Sequence, residues 1–232
     1  MFIQMKKIFL LLFIISCFPL STIAQDWAQL GIYQQANQVL AQNNSMEKKI
    51  VFFGNSITIG WLNTQPAFFK DKPYINRGIG GQTTPQMLIR FRQDVIDLKP
   101  TVVVILAGTN DIAGNTGPMT LEETLSNLKS MTELAQANNI SVILCSVLPA
   151  SDYPWKPGLR PDLKIPKLNA MIKKYAEENG AIYLDYFSAM VNDQQGLDPD
   201  LADDGVHPTK KGYEIMAPLA EIAIKSALRK SP

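Results

Sequence analysis

The sequence contains a serine, an aspartate and a single histidine whose types and spacing suit nucleophilic catalysis. His207 is the only histidine in the chain, and Asp204 precedes it by three residues. At this spacing the carboxylate can hold one ring nitrogen and leave the other free to act as a base. Ser56 follows Gly54 at the predicted start of a helix, where its hydroxyl could serve as a nucleophile. Taken singly, the Asp-x-x-His pair also suits a structural histidine beside a helix-start carboxylate, and the serine also suits an N-cap.

N–H groups that could bind a negatively charged oxygen lie in two other segments. Gly78, Gly80 and Gly81 would let the chain bring backbone N–H groups close to a substrate. Asn110 can donate from its side-chain amide, and the backbone N–H of Ser56 would be free in the first turn of a helix. The alternatives are a tight turn for the glycines and, for Asn110, a turn residue that bonds its own backbone. The spacing matches neither the Gly-x-Gly-x-x-Gly of dinucleotide sites nor, around Ser56, the Gly-x-Ser-x-Gly of α/β-hydrolases.

Short apolar runs predict the strands that position these residues. The runs span residues 50–53, 102–106 and 141–144, with weaker ones at 73–76 and 181–184. Runs without polar alternation suit strands that are covered on both faces, hence a parallel sheet. Ser56, Gly80 and Asn110 each follow one of these runs, and Asp204 and His207 precede the last predicted helix. Because ligands of open parallel sheets bind beyond the carboxyl ends of the strands, we expect these residues to face one crevice.

Helical periodicity appears between the runs. Apolar residues recur every three or four positions in the segments 87–98, 121–134, 168–175 and 213–228. Thr120 and Glu123 predict a capping box, while Pro100 and Gly180 predict helix ends. Strands that alternate with helices indicate one open, doubly wound α/β domain.

One irregular stretch, residues 149–166, predicts a long surface loop because several prolines interrupt it. Tyr153 and Trp155 lie in this stretch, and aromatic rings of this kind can stack on sugar rings. We therefore expect Tyr153 and Trp155 to contact the substrate, together with Asn55, which lies beside the serine.

The first 24 residues are typical of an export signal. Lys6 and Lys7 precede an apolar run, and small residues end the segment at Ala24. The run is shorter than the roughly 20 residues of a membrane span, so no transmembrane span is predicted. The predicted organisation is a signal peptide at 1–24, an N-terminal arm or helix at 25–48 and the main domain at 49–232, in an exported protein that is periplasmic or extracellular. The alternative is lipid anchoring through Cys17, because residues 14–17 loosely resemble a bacterial lipoprotein box.

Composition and charge exclude several functional classes. The chain has 232 residues, of which 46% are hydrophobic and 19% charged, so disordered and coiled-coil proteins are excluded. Its formal net charge of +1 lacks the basic excess of nucleic-acid binders, and no nucleic-acid partner is predicted. One histidine and two cysteines are too few for a zinc site built from these ligands. Cleavage after Ala24 would leave Cys145 as the one cysteine, in an apolar run where we expect a buried, unreactive thiol.

Four sequence blocks together resemble those of the SGNH hydrolases, also called the GDSL esterase/lipase family. The blocks are represented here by Ser56, Gly80, Asn110 and His207, with Asp204 as the acid of the last block. Their order and spacing match from about residue 49 to the C-terminus. The sequence Gly-Asn-Ser-Ile-Thr with a following Trp61 looks like the branch of secreted acylhydrolases similar to platelet-activating-factor acetylhydrolase subunits. The first block more often reads Gly-Asp-Ser, and Asn55 removes one negative charge beside the serine.

The resemblance implies a flavodoxin-like three-layer α/β/α sandwich with a five-stranded parallel sheet. It also implies ester hydrolysis through an acyl-enzyme, in which Ser56 is the nucleophile, His207 the base and Asp204 the residue that orients the ring. The oxyanion hole would consist of the backbone N–H groups of Ser56 and Gly80 and the side-chain amide of Asn110. No cofactor and no metal are implied.

The substrate class is predicted from the export signal and the aromatic stretch. We expect a small-molecule or carbohydrate ester with a short acyl group, such as acetyl on a sugar. A lipid or phospholipid ester is the alternative within the enzyme class. From another class, the chain could be a non-catalytic glycan-binding module on the same fold. The sequence makes no prediction of the oligomeric state.

Overall fold

A five-stranded parallel sheet forms the framework of the protein in a computed structural model that describes residues 26–42 and 48–230. The strands are β1 (Ile50–Gly54), β2 (Tyr74–Gly78), β3 (Val102–Leu106), β4 (Ser141–Cys145) and β5 (Ile182–Leu184). Their order across the sheet is β2-β1-β3-β4-β5. This is the flavodoxin-like order, in which the direction of winding reverses between β1 and β3. The predicted strands and the predicted fold class are confirmed.

Both faces of the sheet are buried, which explains why the strands show no polar alternation. On β1, Val51 and Phe53 belong to one apolar core, whereas Ile50 and Phe52 belong to the other. Successive side chains of a strand point to opposite faces, so a strand between two helical layers needs apolar residues at every position.

Helices form the two outer layers. They are α1 (Gln34–Gln42), α2 (Ser56–Thr64), α3 (Thr84–Asp94), α4 (Thr109–Ile112), α5 (Leu121–Gln136), α6 (Pro161–Glu178), α7 (Phe187–Met190) and α8 (Lys210–Lys230), with short 3-10 turns at Pro66–Phe68 and Ile96–Leu98. The buried residues of α3, α5 and α6 pack in the core that contains Val51, and those of α2 and α8 pack in the core that contains Ile50. Each apolar stripe predicted from the sequence therefore packs in a core, and the fold is the predicted three-layer α/β/α sandwich.

The helix ends follow the predicted signals closely. Glu123 N donates to Thr120 Oγ1 at 3.1 Å and Thr120 N donates to Glu123 Oε2 at 2.7 Å, which completes the predicted capping box of α5. The segment 87–98 is divided, because α3 ends at Asp94 and a 3-10 turn follows. Lys99 then adopts a left-handed φ of 51° before Pro100. Proline disfavours a right-handed helical conformation in the residue before it, so the segment stops there.

The stretch 149–166 is only partly the surface loop that the prolines predicted. Pro161 is the first residue of α6, a position where the missing N–H of proline costs no helical hydrogen bond, and Pro166 lies inside the same helix. Ile165 and Leu168 are buried and extend the apolar stripe of α6 towards its N-terminus. Tyr153 is also fully buried, so this part of the stretch belongs to the core.

Residues 26–42, which we call the N-terminal arm, lie against α3 and end in α1. Gln93 Nε2 on α3 donates to Leu30 O at 2.8 Å, and Asn37 Nδ2 of the arm donates to Asp94 Oδ1 at 2.6 Å. The predicted signal peptide and Cys17 lie outside the described residues, so their processing stays a prediction. Within the described ranges, no helix has both the length and the apolar character needed to cross a membrane.

Candidate active site

Ser56 is the first residue of α2, immediately beyond β1, and its neighbour Asn55 is the N-cap. Asn55 Oδ1 accepts a hydrogen bond from Ile57 N at 3.1 Å. The capping role that was the alternative for Ser56 therefore belongs to Asn55. Asn55 is only 1% exposed, which corrects the expectation that its side chain contacts substrate: the amide is buried and holds the start of the helix.

Two glycines allow the ends of β1 and β2 to pack closely against α2. A Cβ atom at Gly78 would lie 2.3 Å from Ile59 N, and one at Gly54 would lie 2.1 Å from Thr58 Oγ1. Both distances are far below van der Waals contact, and at Gly54 the backbone oxygen of Leu106 would also lie within 2.7 Å, so no larger side chain fits at either position without moving the backbone. Gly78 thus has a steric role, and it fixes the helix that carries Ser56 against the strand that leads to Gly80.

The structure brings Ser56, His207 and Asp204 into one row of hydrogen bonds. Ser56 Oγ lies 2.8 Å from His207 Nε2, and His207 Nδ1 lies 2.6 Å from Asp204 Oδ2. The other oxygen, Asp204 Oδ1, accepts from the backbone N–H groups of Val206 at 2.9 Å and His207 at 2.7 Å. Gly205, with φ of 75°, makes the tight turn that places both side chains on the same side.

Asp204 is held in its charged form. Burial opposes its ionisation, but hydrogen bonds from the backbone and ring of His207 and from the Val206 N–H outweigh that effect and hold the pKa of Asp204 below its ordinary value. A carboxylate at Nδ1 favours the tautomer that carries its proton there, so Nε2 faces Ser56 as a hydrogen-bond acceptor. The side chains of His207 and Asp204 are 41% and 43% exposed, so the pair opens to solvent.

Gly80 and Asn110, the predicted oxyanion donors, follow β2 and β3. Ile79 N donates to Gly54 O at 3.1 Å, so the loop that contains Gly80 begins beside the end of β1. Gly80 is exposed, and no heavy atom lies within 4 Å of the position that a Cβ would take. Asn110 is buried in α4, and its Nδ2 donates to Gln82 O at 2.8 Å. This bond fixes the amide, which carries a second hydrogen that can serve a ligand.

Arg90, which the sequence analysis did not identify, connects the ends of β1 and β2 with the glycine loop. Its fully buried guanidinium donates to Gly54 O at 3.0 Å, to Arg77 O at 3.0 Å and to Gln82 Oε1 at 2.6 Å. Asp94 balances its charge at 3.0 Å. The sequence does carry a signal for it, since a cation inside the apolar stripe of α3 must have polar partners when it is buried.

Trp155 lies beside the histidine. Its ring centroid is 6.0 Å from that of His207, and its side chain is 45% exposed. Tyr153 stacks on the indole with a centroid distance of 5.2 Å, while its hydroxyl lies 3.0 Å from Thr109 Oγ1. Because Tyr153 is fully buried, the expectation that it contacts substrate is wrong, and its ring instead supports Trp155 from below.

Cys145, the cysteine within the described residues, does not offer a second nucleophile. Cys145 is buried, and burial raises the pKa of its thiol, in agreement with the predicted unreactive cysteine. In the part of the chain that the structure describes, no group of three or more His, Cys, Asp or Glu side chains is placed to hold a metal ion.

A sequence profile of the GDSL-like lipase/acylhydrolase family matches residues 52–215 of the chain. The chain belongs to this family. The match includes the residues of the hydrogen-bonded row described above. Membership confirms the predicted family and the predicted enzyme class, that of the carboxylic ester hydrolases.

Several known proteins are similar to this GDSL acylhydrolase. A solved structure of a candidate acylhydrolase from Bacteroides fragilis is 50% identical, with a TM-score of 0.85 over 88% of this chain and 99% of that one. An uncharacterised lipoprotein from Bacillus subtilis is 32% identical over 43% of this chain and 48% of its own length. An acetylxylan esterase from Xylanibacter ruminicola is 27% identical over 57% of this chain and 30% of its own length. The chain thus spans about half of the first of these two curated relatives and less than a third of the second.

Proposed function

We propose that the chain is an exported serine esterase that hydrolyses short acyl esters, such as acetyl groups on carbohydrates, through an acyl-enzyme. The observation that carries this proposal is the continuous row Asp204–His207–Ser56, with separations of 2.6 and 2.8 Å. A hydroxyl, a base and an orienting carboxylate in this geometry are the components of an activated serine nucleophile.

Acylation uses His207 first as a base and then as an acid. Nε2 takes the proton from Ser56 Oγ while that oxygen attacks the ester carbonyl. The negative charge that develops on the carbonyl oxygen is bound by the N–H groups of Ser56 and Gly80 and by Nδ2 of Asn110. When the tetrahedral intermediate collapses, His207 gives its proton to the departing alcohol and leaves an acylated Ser56.

Deacylation repeats the same steps with water. His207 removes a proton from a water molecule, which attacks the acyl carbonyl, and the proton then returns to Ser56 as the carboxylic acid leaves. Asp204 stays ionised throughout and stabilises the imidazolium that forms in both steps. Both half-reactions use His207 as the base. Its side chain is 41% exposed, so a water molecule can reach it for deacylation.

The carbohydrate preference is supported by the surroundings of the row. Trp155 offers an exposed ring beside His207, and a relative from Xylanibacter ruminicola is an acetylxylan esterase. On the side of Gly80, the rim includes the polar side chains of Gln29, Asn115 and Thr116 beside the aromatic Trp27. A polar rim suits a sugar better than the acyl chains of a lipid. Export is supported by the leader sequence and by the similarity to a lipoprotein of Bacillus subtilis.

The test is a comparison of acyl-chain lengths and of alcohols. We expect the protein to hydrolyse p-nitrophenyl acetate faster than the butyrate and octanoate esters, and to release acetate from acetylated xylo-oligosaccharides. A rate that rises with chain length would identify a lipid esterase instead. Sugar binding without hydrolysis of any ester would identify a glycan-binding module.

A further inference from the structure

A groove of about 270 Å³ opens beside Gly80, and the N-terminal arm forms one of its walls. Its lining includes Asp26, Trp27 and Gln29 from the arm, Gly80 and Gly81 from the loop after β2, and Asn115 and Thr116 from the loop after α4. Since Gly80 is also a proposed oxyanion donor, the groove adjoins the candidate active site.

Glutamine side chains hold the arm in place against the catalytic loop. Gln82 Nε2 donates to Ala28 O at 2.8 Å, and Gln86 Nε2 donates to Trp27 O at 2.6 Å. The backbone carbonyl of Trp27 is therefore held, while the residue as a whole is 44% exposed. Trp27 thus presents a large aromatic side chain to solvent on a backbone that is already held in place. A ligand that stacks on this side chain orders little additional backbone when the ligand binds.

The chemistry of the groove suits a neutral sugar. The side chains of Gln29, Asn115 and Thr116 can donate and accept hydrogen bonds, as hydroxyl groups require. Gly80 and Gly81 have no heavy atom within 4 Å of a would-be Cβ, so a ligand can lie directly on the backbone. Among the described residues that line the groove there is no lysine or arginine, and the Asp26 carboxylate accepts hydrogen bonds from the backbone N–H groups of Leu30 and Gly31, so an anionic ligand has no counter-charge here.

The groove and Trp155 adjoin different residues of the candidate site. Trp155 is beside His207, the proposed base, whereas Trp27 is beside Gly80, the proposed oxyanion donor. Lys156 Nζ donates to Gly114 O at 3.2 Å and so joins the segment of Trp155 to the loop that contributes Asn115 and Thr116 to the groove. We infer that the groove is a subsite for a sugar unit adjoining the acetylated one, with Trp27 stacking on the sugar ring. This inference rests on the proposed function.

Trp27→Ala tests the subsite through a difference between two substrates. We expect kcat/KM to fall about tenfold more for acetylated xylo-oligosaccharides than for p-nitrophenyl acetate. The fall should come mainly from a higher KM, because the binding free energy lost is roughly that of one aromatic contact. Trp27→Phe, which keeps an aromatic face, should retain most of the activity on the oligosaccharide. Ile32→Ala is the matched control, since Ile32 is 54% exposed on the same arm. Equal effects of Trp27→Ala on both substrates, or none on either, would overturn the inference.

Binding to a protein that cannot turn over separates the subsite from the esterase activity. In the Ser56→Ala protein, titration calorimetry with acetylated xylo-oligosaccharides should show binding that Trp27→Ala weakens about tenfold, at an unchanged melting temperature. If the wild-type protein hydrolyses no ester but this difference persists, the proposed function fails and the sugar subsite stands. If hydrolysis is present and the binding difference is absent, only the subsite fails.

Discussion

At the scale of single residues, the site depends on a few hydrogen bonds that fix orientation and contribute little to packing. Asn55 caps α2, which leaves the hydroxyl of Ser56 to His207. Asp204 engages both the ring and the backbone of His207. Substitutions in this row should therefore change the reaction much more than the stability of the fold.

Ser56→Ala should abolish ester hydrolysis, because the hydroxyl that forms the acyl-enzyme is lost. Removal of a triad serine can lower kcat about 10⁶-fold. The melting temperature should hardly change, since only one oxygen is removed at the edge of the crevice. Ser226→Ala is the control. The Ser226 hydroxyl donates a hydrogen bond to Ile222 O within α8 and does not belong to the candidate site. Retention of most activity by Ser56→Ala would exclude this serine as the nucleophile.

Asn110→Ala should lower kcat by roughly 10²- to 10³-fold, the usual effect of losing one oxyanion donor. KM should change much less, because the amide mainly contacts charge that develops in the transition state. Asn127→Ala provides the comparison, since the Asn127 amide also donates a hydrogen bond, to Thr84 Oγ1, outside the site. If Asn110→Ala raised KM and left kcat unchanged, Asn110 would instead be a ground-state binding residue.

Asp204→Asn should slow catalysis about 10⁴-fold, because an amide no longer selects the required tautomer of His207. It should also alter stability in a pH-dependent way. The pKa of Asp204 is lowered in the folded state, so its charge stabilises the fold above the unfolded pKa of about 3.9, and this contribution is lost as the pH falls through the folded value. The difference in melting temperature between wild type and variant should therefore be present at neutral pH and shrink below about pH 4.

Asp203→Asn is the control for that experiment, since Asp203 is the exposed neighbour of Asp204. It should leave both the rate and the pH dependence of the melting temperature close to those of the wild type. A difference between wild type and Asp204→Asn that stayed constant down to about pH 2 would contradict the lowered pKa of Asp204.

At the scale of elements, the close approach of β2 to α2 positions the nucleophile relative to the glycine loop. Gly78→Ala would place a Cβ 2.3 Å from Ile59 N, so strand and helix must separate. We expect destabilisation of about 1–3 kcal/mol, typical of overpacking, and a loss of kcat, measured by denaturant unfolding and by steady-state kinetics. Gly31→Ala, whose Cβ would lie 3.7 Å from the Asp26 carboxylate, should be tolerated. If the Gly78→Ala and Gly31→Ala proteins were equally stable, the close approach of β2 to α2 would not be required for the stability of the fold.

At the scale of the whole molecule, Arg90 joins the ends of two strands, the glycine loop and, through Gln82, the N-terminal arm. Arg90→Met would leave the buried Asp94 with its hydrogen bond from Asn37 but without its positively charged partner, and breaking a buried ion pair typically costs about 3–5 kcal/mol. For a chain of this size we expect the melting temperature to fall by about 6–20 °C. Arg92→Met should have little effect, because the pair of Arg92 with Asp97 is exposed and 4.0 Å apart. Similar melting temperatures for the two variants would refute this role of Arg90.

The sequence by itself determined the strands, most helices and three residues that meet in the candidate site, Ser56, Asp204 and His207. These features are local: an apolar run of about five residues, a capping box or an Asp-x-x-His turn is encoded in neighbouring positions. The rule that ligands bind at the carboxyl ends of parallel strands then predicted that Ser56, Asn110 and His207 would meet. The resemblance to the GDSL family supplied the proposed catalytic roles of these residues, and experiments can test those roles.

Only the tertiary structure decided which atoms meet across the chain. Ser56 and His207 are 151 positions apart, and their 2.8 Å separation depends on the packing of α2 and on the loop before α8. The burial of Tyr153, the bonds of Arg90 and the place of Trp27 beside Gly80 depend in the same way on contacts between distant segments. Periodicity assigns a side chain to a face of its own element, but the partners on that face follow from how the layers pack.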